Sequence, residues 1–278
     1  MRVVDVRDPA DPLLDDLRDL NNSDRRPDLP GGRGLVIAEG TYVVGRMLLS
    51  RFQPHVMLGT DTRLTQLRRE AAAEGWDADE RAGDAVYLRA SKDLISEVIG
   101  FRSSRDILAA AERPEPLTVE SVVDGARTLV VLEGVNDPEN LGAIFRNCAA
   151  LGVDGVLIGA AAGDPLYRRV VRVSMGHVLR LPFAHLPGTP TTWQRSLESL
   201  HARGFRTVAL TPYADTPLSR AVDAKKVAFL LGAEGPGLTE HAMKACDVRA
   251  AIPMTDGTDS LNVATAGAVA FYERARGS

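Results

Sequence analysis

The sequence is poor in cysteine and contains no long apolar run. Its 278 residues include two cysteines, Cys148 and Cys246, and neither belongs to a Cys-x-x-Cys pair or has a histidine at metal-ligand spacing beside it. These absences exclude a disulfide scaffold and give no reason to expect a metal site. No apolar stretch approaches the roughly 20 residues that span a bilayer, and charge and proline interrupt the N-terminal segment, unlike a signal peptide. We therefore expect a cytoplasmic protein without membrane contact.

The sequence also lacks an excess of positive charge. Its net charge is −4, whereas a protein that contacts nucleic acid along a long backbone path is usually basic. Any nucleic-acid contact must therefore come from a local cationic surface, although a short run of arginines is more often a solvated face. The candidate clusters are Arg25, Arg26 and Arg33; Arg102 and Arg105; and Arg168, Arg169, Arg172 and Arg180.

Short apolar runs alternate with amphipathic stretches along the chain, which predicts an α/β protein. Residues 1–113 predict a small α/β domain with a largely parallel sheet. Prolines and acids follow, and because proline is excluded from helix interiors and central strands, we predict a linker over 114–127. Residues 128–278 alternate strands and helices again and predict a second, doubly wound domain with a parallel sheet.

Capping residues and apolar spacing predict where individual helices lie. Ser91 is a suitable first residue for a helix that reaches Ile99 and is closed by Gly100. The apolar spacing also predicts one helix over 192–203 and a long final helix from about Leu261.

The first of three polar segments in the second half covers residues 136–152. Asp137 before Pro138 predicts a helix start, with Asn140 in the first turn. Arg146 lies six residues further on, about 9 Å along the helix axis. Its long side chain can lean back toward the helix N-terminus. A surface arginine on an amphipathic helix explains the same pattern equally well.

The second and third segments follow buried strands near the C-terminus. In the second, Gly232 and two further glycines surround Glu234 in the order Gly-x-x-Gly-x-Gly, which is not the dinucleotide-binding fingerprint. In the third, a strand ends at Pro253, and Asp259 or Ser260 could cap the final helix and leave its first amides available to a ligand. Taken alone, each segment is explained by a simple turn or a capped helix.

Together and in this order, the three segments resemble the SpoU (TrmH-like) family of SPOUT-class RNA 2′-O-ribose methyltransferases. The resemblance rests on Asn-Leu-Gly-Ala-Ile-x-Arg from Asn140, Gly-Ala-Glu-Gly from Gly232, and Ile-Pro-Met followed by Ser-Leu-Asn-Val from Ile252, and it covers residues 129–273. More loosely, the segment Ala-Glu-Gly-Thr-Tyr-Val-Val at 38–44 resembles the small RNA-binding domain that many members carry.

The resemblance implies a fold, a cofactor and an assembly. The C-terminal parallel-sheet domain would carry a deep trefoil knot, preceded by a small α/β RNA-binding domain, and the protein would be a homodimer. The cofactor would be S-adenosyl-L-methionine, contacted by Gly232, Ile252 and Leu261, with Leu210 and Thr211 as weaker candidates.

The resemblance also implies the reaction and its residues. A ribose 2′-hydroxyl as methyl acceptor implies an RNA partner and no DNA partner. A separate N-terminal domain favours ribosomal RNA over transfer RNA as the substrate. Many members carry a serine where this chain has Ala264. The catalytic residues carried over from the family are Asn140, Arg146, Glu234, Ser260 and Asn262.

Two other readings remain open from the sequence. A non-catalytic RNA-binding or ribosome-associated protein could retain the SPOUT fold without the reaction, although the five carried-over polar residues are all present. An unrelated nucleotide-binding α/β enzyme would need a phosphate loop, and the sequence contains neither Gly-x-Gly-x-x-Gly nor the P-loop pattern.

Overall fold

The computed structural model describes residues 1–20, 34–102, 104–255 and 257–277. The chain divides into two compact units, the first formed by Met1–Glu115 and Asp164–Arg180 and the second by Pro116–Gly163 and Leu181–Ser278. None of the helices in the described ranges is both long and apolar enough to cross a membrane. The arginine cluster at positions 25, 26 and 33 lies outside the described residues.

Strands and helices alternate through both units, as the apolar spacing predicts. The strands are β1 (Arg2–Asp5), β2 (Val36–Glu39), β3 (Pro54–Gly59), β4 (Val86–Arg89), β5 (Ile107–Ala111), β6 (Thr128–Leu132), β7 (Gly155–Ile158), β8 (Phe183–His185), β9 (Arg206–Leu210), β10 (Thr216–Pro217), β11 (Val227–Leu231) and β12 (Val248–Ala251). The α-helices are α1 (Thr41–Leu48), α2 (Asp61–Ala73), α3 (Ala78–Ala82), α4 (Lys92–Ile99), α5 (Val119–Val123), α6 (Pro138–Ala150), α7 (Arg168–Val173), α8 (Leu197–Ala202), α9 (Leu218–Ala221), α10 (Glu240–Lys244) and α11 (Val263–Arg276). Further 3₁₀ helices cover Pro12–Leu17, His177–Leu179 and Trp193–Ser196.

The first unit contains a five-stranded sheet in the order β1-β4-β3-β5-β2. Strands β1 and β3 run parallel to β4, but β5 runs antiparallel to both β2 and β3. The expectation of a largely parallel sheet is therefore wrong for the pairs that involve β5. Every residue of β5 is buried, and a uniformly apolar strand is also typical of parallel sheets, so its composition did not reveal its direction.

Local capping fixes α4 as predicted. The Ser91 side chain accepts a hydrogen bond from the Leu94 amide, and Gly100 ends the helix with φ of 81° in the left-handed region. The helix predicted over 192–203 is instead a 3₁₀ helix over Trp193–Ser196 followed by α8.

The second unit contains a seven-stranded sheet in the order β10-β12-β9-β11-β6-β7-β8. All of its recorded strand pairs are parallel, which confirms the predicted parallel sheet. The central strands β6 and β11 are buried along their whole length, so helices and loops cover both faces of the sheet. The carboxyl ends of β9, β11 and β6 consequently lie along one edge of the sheet.

Part of the predicted linker over 114–127 is folded into the second unit. Thr118 caps α5 by accepting a hydrogen bond from the Ser121 amide, and Val122 and Val123 are buried in the core of that unit. The prediction of a linker rested on Pro114 and Pro116. Both prolines lie just before this helix, so the linker is shorter than predicted.

Residues 164–180 lie within the predicted second domain but belong to the first unit. Arg113 donates to both carboxylate oxygens of Asp164 at 3.1 and 2.6 Å. Arg168 on α7 donates to the buried Glu39 at the end of β2. These partners are 51 and 129 residues apart in sequence, so no local pattern could have indicated them.

Candidate active site

A cavity of about 410 Å³ lies in the second unit beside the carboxyl ends of β9, β11 and β12. It is formed where three segments meet: residues 210–213, residues 232–238, and the chain after β12, from which Ile252, Met254 and residues 259–262 line the cavity. Its volume falls in the range of roughly 300–1,000 Å³ that is typical of small-molecule sites. Ligands of open parallel α/β sheets bind at this edge because successive loops converge there.

The glycine loop, residues 232–238, can form only with glycine at its first position. A Cβ atom on Gly232 would lie 2.2 Å from the Leu238 nitrogen and 2.3 Å from the Gly237 carbonyl carbon. The loop is closed by a hydrogen bond from the Gly237 amide to the Ala233 carbonyl oxygen at 2.9 Å. Backbone therefore forms much of this wall, and a ligand can approach it closely.

A chain of side-chain hydrogen bonds joins the three polar segments. The Asn262 Nδ2 donates to Asn140 Oδ1 at 2.7 Å, and the Asn140 Nδ2 donates to Glu234 Oε2 at 2.8 Å. The Asn262 Oδ1 caps α11 by accepting from the Ala264 and Thr265 amides. Because that cap fixes which end of Asn262 accepts, the chain has one direction and ends on the Glu234 carboxylate as acceptor.

The predicted site residues divide into those at the cavity and those away from it. The five predicted cofactor contacts, Leu210, Thr211, Gly232, Ile252 and Leu261, all line the cavity, as do Glu234, Ser260 and Asn262. Asn140 is buried behind Glu234 and reaches the cavity only through its hydrogen bond. The structure thus brings together four of the five predicted catalytic residues.

Arg146 is not brought into the cavity within this chain. It lies on the exposed side of α6, is absent from the cavity wall, and has no hydrogen bond or ion pair to the described residues. The exposed side of an amphipathic helix is where its sequence spacing places it.

Two residues at or near the site lie outside the three sequence motifs. Tyr213 lines the cavity although 87% of its surface is exposed, and no spacing pattern distinguished it. Glu133 is buried at 5% exposure directly after β6. An acidic residue immediately after a buried strand was a signal that could have identified it.

The two cysteine thiols have raised pKa values. Burial raises the pKa of the Cys148 thiol well above its ordinary value and raises the pKa of Cys246 to about 12, so neither is a thiolate near neutral pH. Among the described residues, no group of three or more His, Cys, Asp or Glu side chains could hold a metal ion.

The parallel sheet and the loop-lined cavity are typical of α/β domains that bind a small organic ligand at their strand ends. Residues 127–272 match the SpoU rRNA methylase family. The chain is 55% identical over 279 residues to an uncharacterized tRNA/rRNA methyltransferase of Mycobacterium bovis, covering 99% of this chain and 92% of that protein. The chain therefore belongs to the SpoU family of RNA methyltransferases.

Two further comparisons extend this result. A 23S rRNA (guanosine-2′-O-)-methyltransferase of Bordetella pertussis is 32% identical over 200 residues, which cover 71% of this chain and 80% of that protein. The crystal structure of an AdoMet-bound rRNA methyltransferase from Sinorhizobium meliloti has a TM-score of 0.75 at 23% identity, covering 99% of this chain and 98% of that chain. The structural likeness shows that the fold is shared.

Proposed function

We propose that this protein transfers a methyl group from S-adenosyl-L-methionine to a ribose 2′-hydroxyl of structured RNA. We propose ribosomal RNA in preference to transfer RNA as the substrate. The observation that carries the proposal is the directed hydrogen-bond chain Asn262–Asn140–Glu234 beside a cavity walled by the glycine loop. The relative from Bordetella pertussis, a guanosine-2′-O-methyltransferase of 23S rRNA, supports the acceptor group and the RNA class.

The cavity fits S-adenosyl-L-methionine in size and in chemistry. Gly232 leaves the glycine loop without a side chain at its tightest point, where a Cβ would collide with backbone. Apolar residues for an adenosyl group and polar residues for an amino-acid group both line the wall. When bound, the cofactor supplies a methyl group on an electrophilic sulfonium. The residues that would hold it are Leu210, Thr211, Gly232, Ile252 and Leu261.

The protein must then align the hydroxyl and stabilise the charge that develops on its oxygen. In this proposal Asn140 and Asn262 hold the Glu234 carboxylate in one orientation, and Ser260 shapes the cavity beside it. A ribose hydroxyl is a weak nucleophile until its proton is withdrawn or its negative charge is offset. We assign the latter task to the guanidinium of Arg146, which carries a fixed positive charge.

A homodimer would reconcile that assignment with the exposed position of Arg146. Helix α11 packs against α6 and exposes apolar side chains, including Val269 at 37% and Tyr272 at 59%. Exposed apolar side chains on one helix are typical of a protein interface. In a dimer formed through this face, Arg146 of one copy would contact the ribose bound at the cavity of the other copy.

The proposal extends to the topology of the second unit and to the role of the first. We propose that the second unit is knotted around the glycine loop and the chain that follows β12, as the resemblance implies; residues of both line the cavity. We also propose that the first unit recognises the RNA, because recognition of a folded loop usually needs a surface of its own. An RNA substrate of this kind would place the protein in the cytoplasm.

The test is a methyl-transfer assay with RNA from cells that lack this gene. Purified protein, S-adenosyl-L-methionine with a labelled methyl group, and either ribosomal or transfer RNA are incubated, and 2′-O-methylation is mapped by resistance of the modified linkage to alkali. We expect one new 2′-O-methyl site in ribosomal RNA. Methylation on a base contradicts the acceptor, and a site in transfer RNA alone contradicts the RNA class. Absence of cofactor binding at millimolar concentration in calorimetry favours a non-catalytic RNA-binding protein.

A further inference from the structure

A second, smaller cavity of about 140 Å³ lies within the first unit between α1 and α2. Small-molecule sites usually measure roughly 300–1,000 Å³, so this cavity suits a single ring system and not a whole cofactor. It is unconnected with the methyl-transfer residues, none of which lines it. We call it the aromatic cleft, defined by Tyr42, Gly45, Arg46, Glu70, Trp76 and Arg180.

Two aromatic rings are available at the cleft. Trp76 packs against α1 at Gly45, where an added Cβ would lie 3.7 Å from the indole Cζ2, so the ring is seated directly on the helix backbone. The indole Nε1 donates to Glu74 Oε2 at 3.2 Å, which helps to hold the ring. Tyr42, in the first turn of α1, is 59% exposed. Trp76 is half-buried. An exposed ring beside a half-buried one at a narrow cleft is suited to stacking on an unpaired base.

Charged groups of both signs share the cleft with the rings. Gln66 Nε2 donates to Glu70 Oε1 at 2.8 Å, which orients the carboxylate. Arg46 is held by a hydrogen bond to the Met175 carbonyl oxygen, and Arg180 lines the same cleft. Guanine offers N1–H and N2–H donors for a carboxylate, and O6 and N7 acceptors for a guanidinium. The other bases do not present two adjacent donors on one edge.

We infer that the aromatic cleft binds one unpaired guanine of the RNA substrate, stacked on Tyr42 and Trp76, with Glu70 accepting from its Watson–Crick edge. This inference rests on the proposed function for the presence of RNA. It assigns a base-reading site to the segment that includes Ala-Glu-Gly-Thr-Tyr-Val-Val at 38–44, which the methyl-transfer site does not use.

The test uses single-stranded RNA heptamers that carry one central guanosine, adenosine or cytidine among uridines, with all-uridine as the fourth. Tryptophan fluorescence reports binding. Of the two tryptophans, Trp76 lies at the cleft, whereas Trp193 is 1% exposed and out of reach of the RNA. We expect the guanosine heptamer to quench the fluorescence and to bind at least about tenfold more tightly than the others. Tyr42→Ala should weaken binding of the guanosine heptamer by about the same factor. Glu70→Gln should remove the preference for guanosine.

Controls separate this inference from the proposed function. Leu13→Ala removes another exposed apolar side chain of the first unit, outside the cleft, and should leave heptamer binding unchanged. Cofactor binding by Tyr42→Ala and Glu70→Gln should equal that of the unmodified protein. Equal affinity for all four heptamers, or an unchanged preference in Glu70→Gln, overturns the guanine site even where methyl transfer succeeds.

A separate observation concerns Glu133 beneath the methyl-transfer cavity. Its buried carboxylate accepts hydrogen bonds from Trp193 Nε1 at 2.9 Å, the Thr239 amide at 2.8 Å and the Thr239 hydroxyl at 2.9 Å. Its backbone amide donates to the Leu231 carbonyl oxygen at 2.9 Å. One residue therefore holds the chain immediately before and immediately after the glycine loop.

The geometry points to Glu133 as a positioning residue for that loop and for Glu234 within it, on the basis of the proposed function. An amide cannot replace its carboxylate, because three donors face it and Glu133→Gln would turn an NH₂ group toward one of them. We expect Glu133→Gln to raise the KM for S-adenosyl-L-methionine about tenfold, the usual effect of losing a buried charged hydrogen bond, with the KM for RNA within twofold.

Trp193→Phe provides the matched control, because it removes one donor to Glu133 and keeps an aromatic ring in the core. Both variants are assayed well below their melting temperatures. We expect Trp193→Phe to lower the melting temperature with little change in cofactor KM. If the cofactor KM rises in proportion to the loss of melting temperature, and does so to the same extent in Glu133→Gln and Trp193→Phe, then Glu133 acts only on stability. That result would overturn the assignment.

Discussion

Asn140 is the middle member of the polar chain, donating to Glu234 and accepting from Asn262. Asn140→Asp would replace the donor with a second carboxylate beside Glu234, so both the hydrogen bond and the orientation of Glu234 are lost. We expect the turnover rate to fall about 100-fold or more, by analogy with the loss of one preorganised donor. Methyl transfer and calorimetric cofactor binding measure the effect.

Asn147 supplies a matched control on the same helix. Its Nδ2 donates to the Ala264 carbonyl oxygen at 2.9 Å and so also joins α6 to α11, but it does not contact Glu234. Asn147→Asp should therefore reduce stability while turnover stays within about twofold. An equal loss of turnover in both variants would mean that helix packing, and not the link to Glu234, is what matters at Asn140.

Arg146 is exposed and has no hydrogen bond or ion pair to the described residues, so its removal should leave the fold intact. We expect Arg146→Ala to lower methyl transfer about 1,000-fold, the scale seen for removal of a charge-stabilising group, with cofactor affinity and melting temperature unchanged. Arg146→Lys should recover part of the rate, since it keeps the charge but not the planar fork. Arg220→Ala, at another exposed arginine of the same unit, is the control. Normal turnover by Arg146→Ala would rule out its proposed role.

At the residue scale, the family motifs identified Asn140, Glu234 and Asn262, but spacing alone could not have joined them. Asn140 lies 94 residues from Glu234 and 122 from Asn262. The position of Glu133 directly after a buried strand is a local signal, but its partner Thr239 is 106 residues away and could not be inferred from spacing. Hydrogen bonds of this range follow from the order of strands in the sheet, which local sequence does not encode.

At the scale of elements, the glycine loop depends on close backbone contact. Gly232→Ala would bring a Cβ to 2.2 Å from the Leu238 nitrogen, and backbone cannot move aside as a flexible side chain can. We expect a loss of about 1–3 kcal/mol in the free energy of unfolding, as for other overpacked sites. Cofactor affinity should fall with it. Thermal unfolding and calorimetry measure the two effects.

Gly277→Ala is the matched control for that substitution. An added Cβ there would be no closer than 3.8 Å to its neighbours, an ordinary contact distance. Its melting temperature and cofactor affinity should equal those of the unmodified protein. Full cofactor affinity in Gly232→Ala would contradict the requirement for a side-chain-free position at the cavity wall.

Elements with capping signals were the most predictable parts of the fold. Asp137 accepts from the Asn140 amide and Pro138 opens α6, as the sequence predicts. The final helix starts at Val263, two residues after the predicted position, because Asn262 rather than Asp259 or Ser260 caps it. By contrast, local sequence patterns did not predict the direction of β5 or the break in the helix expected over 192–203. Both depend on tertiary packing.

At the scale of the whole molecule, the sequence predicted two successive domains, whereas the first unit takes residues 164–180 from the second half of the chain. Helix α7 packs against β2, and Val170, Val171 and Val178 are buried. Deleting residues 1–115 alone would therefore expose these apolar side chains to water. We expect that truncated protein to aggregate or to melt well below the full chain.

A second truncation tests the division of labour between the units. It removes residues 1–115 and also replaces 164–180 with a glycine–serine linker, so that both parts of the first unit are absent. Because the cavity and the chain Asn262–Asn140–Glu234 belong wholly to the second unit, this protein should bind S-adenosyl-L-methionine with affinity close to that of the full chain. Methylation of ribosomal RNA should become weak and spread over several sites, since the surface proposed to recognise the RNA is missing. Mapping 2′-O-methyl groups against the full-length product distinguishes the outcomes. Modification of the correct site alone, at the normal rate, would mean that the second unit selects the RNA by itself.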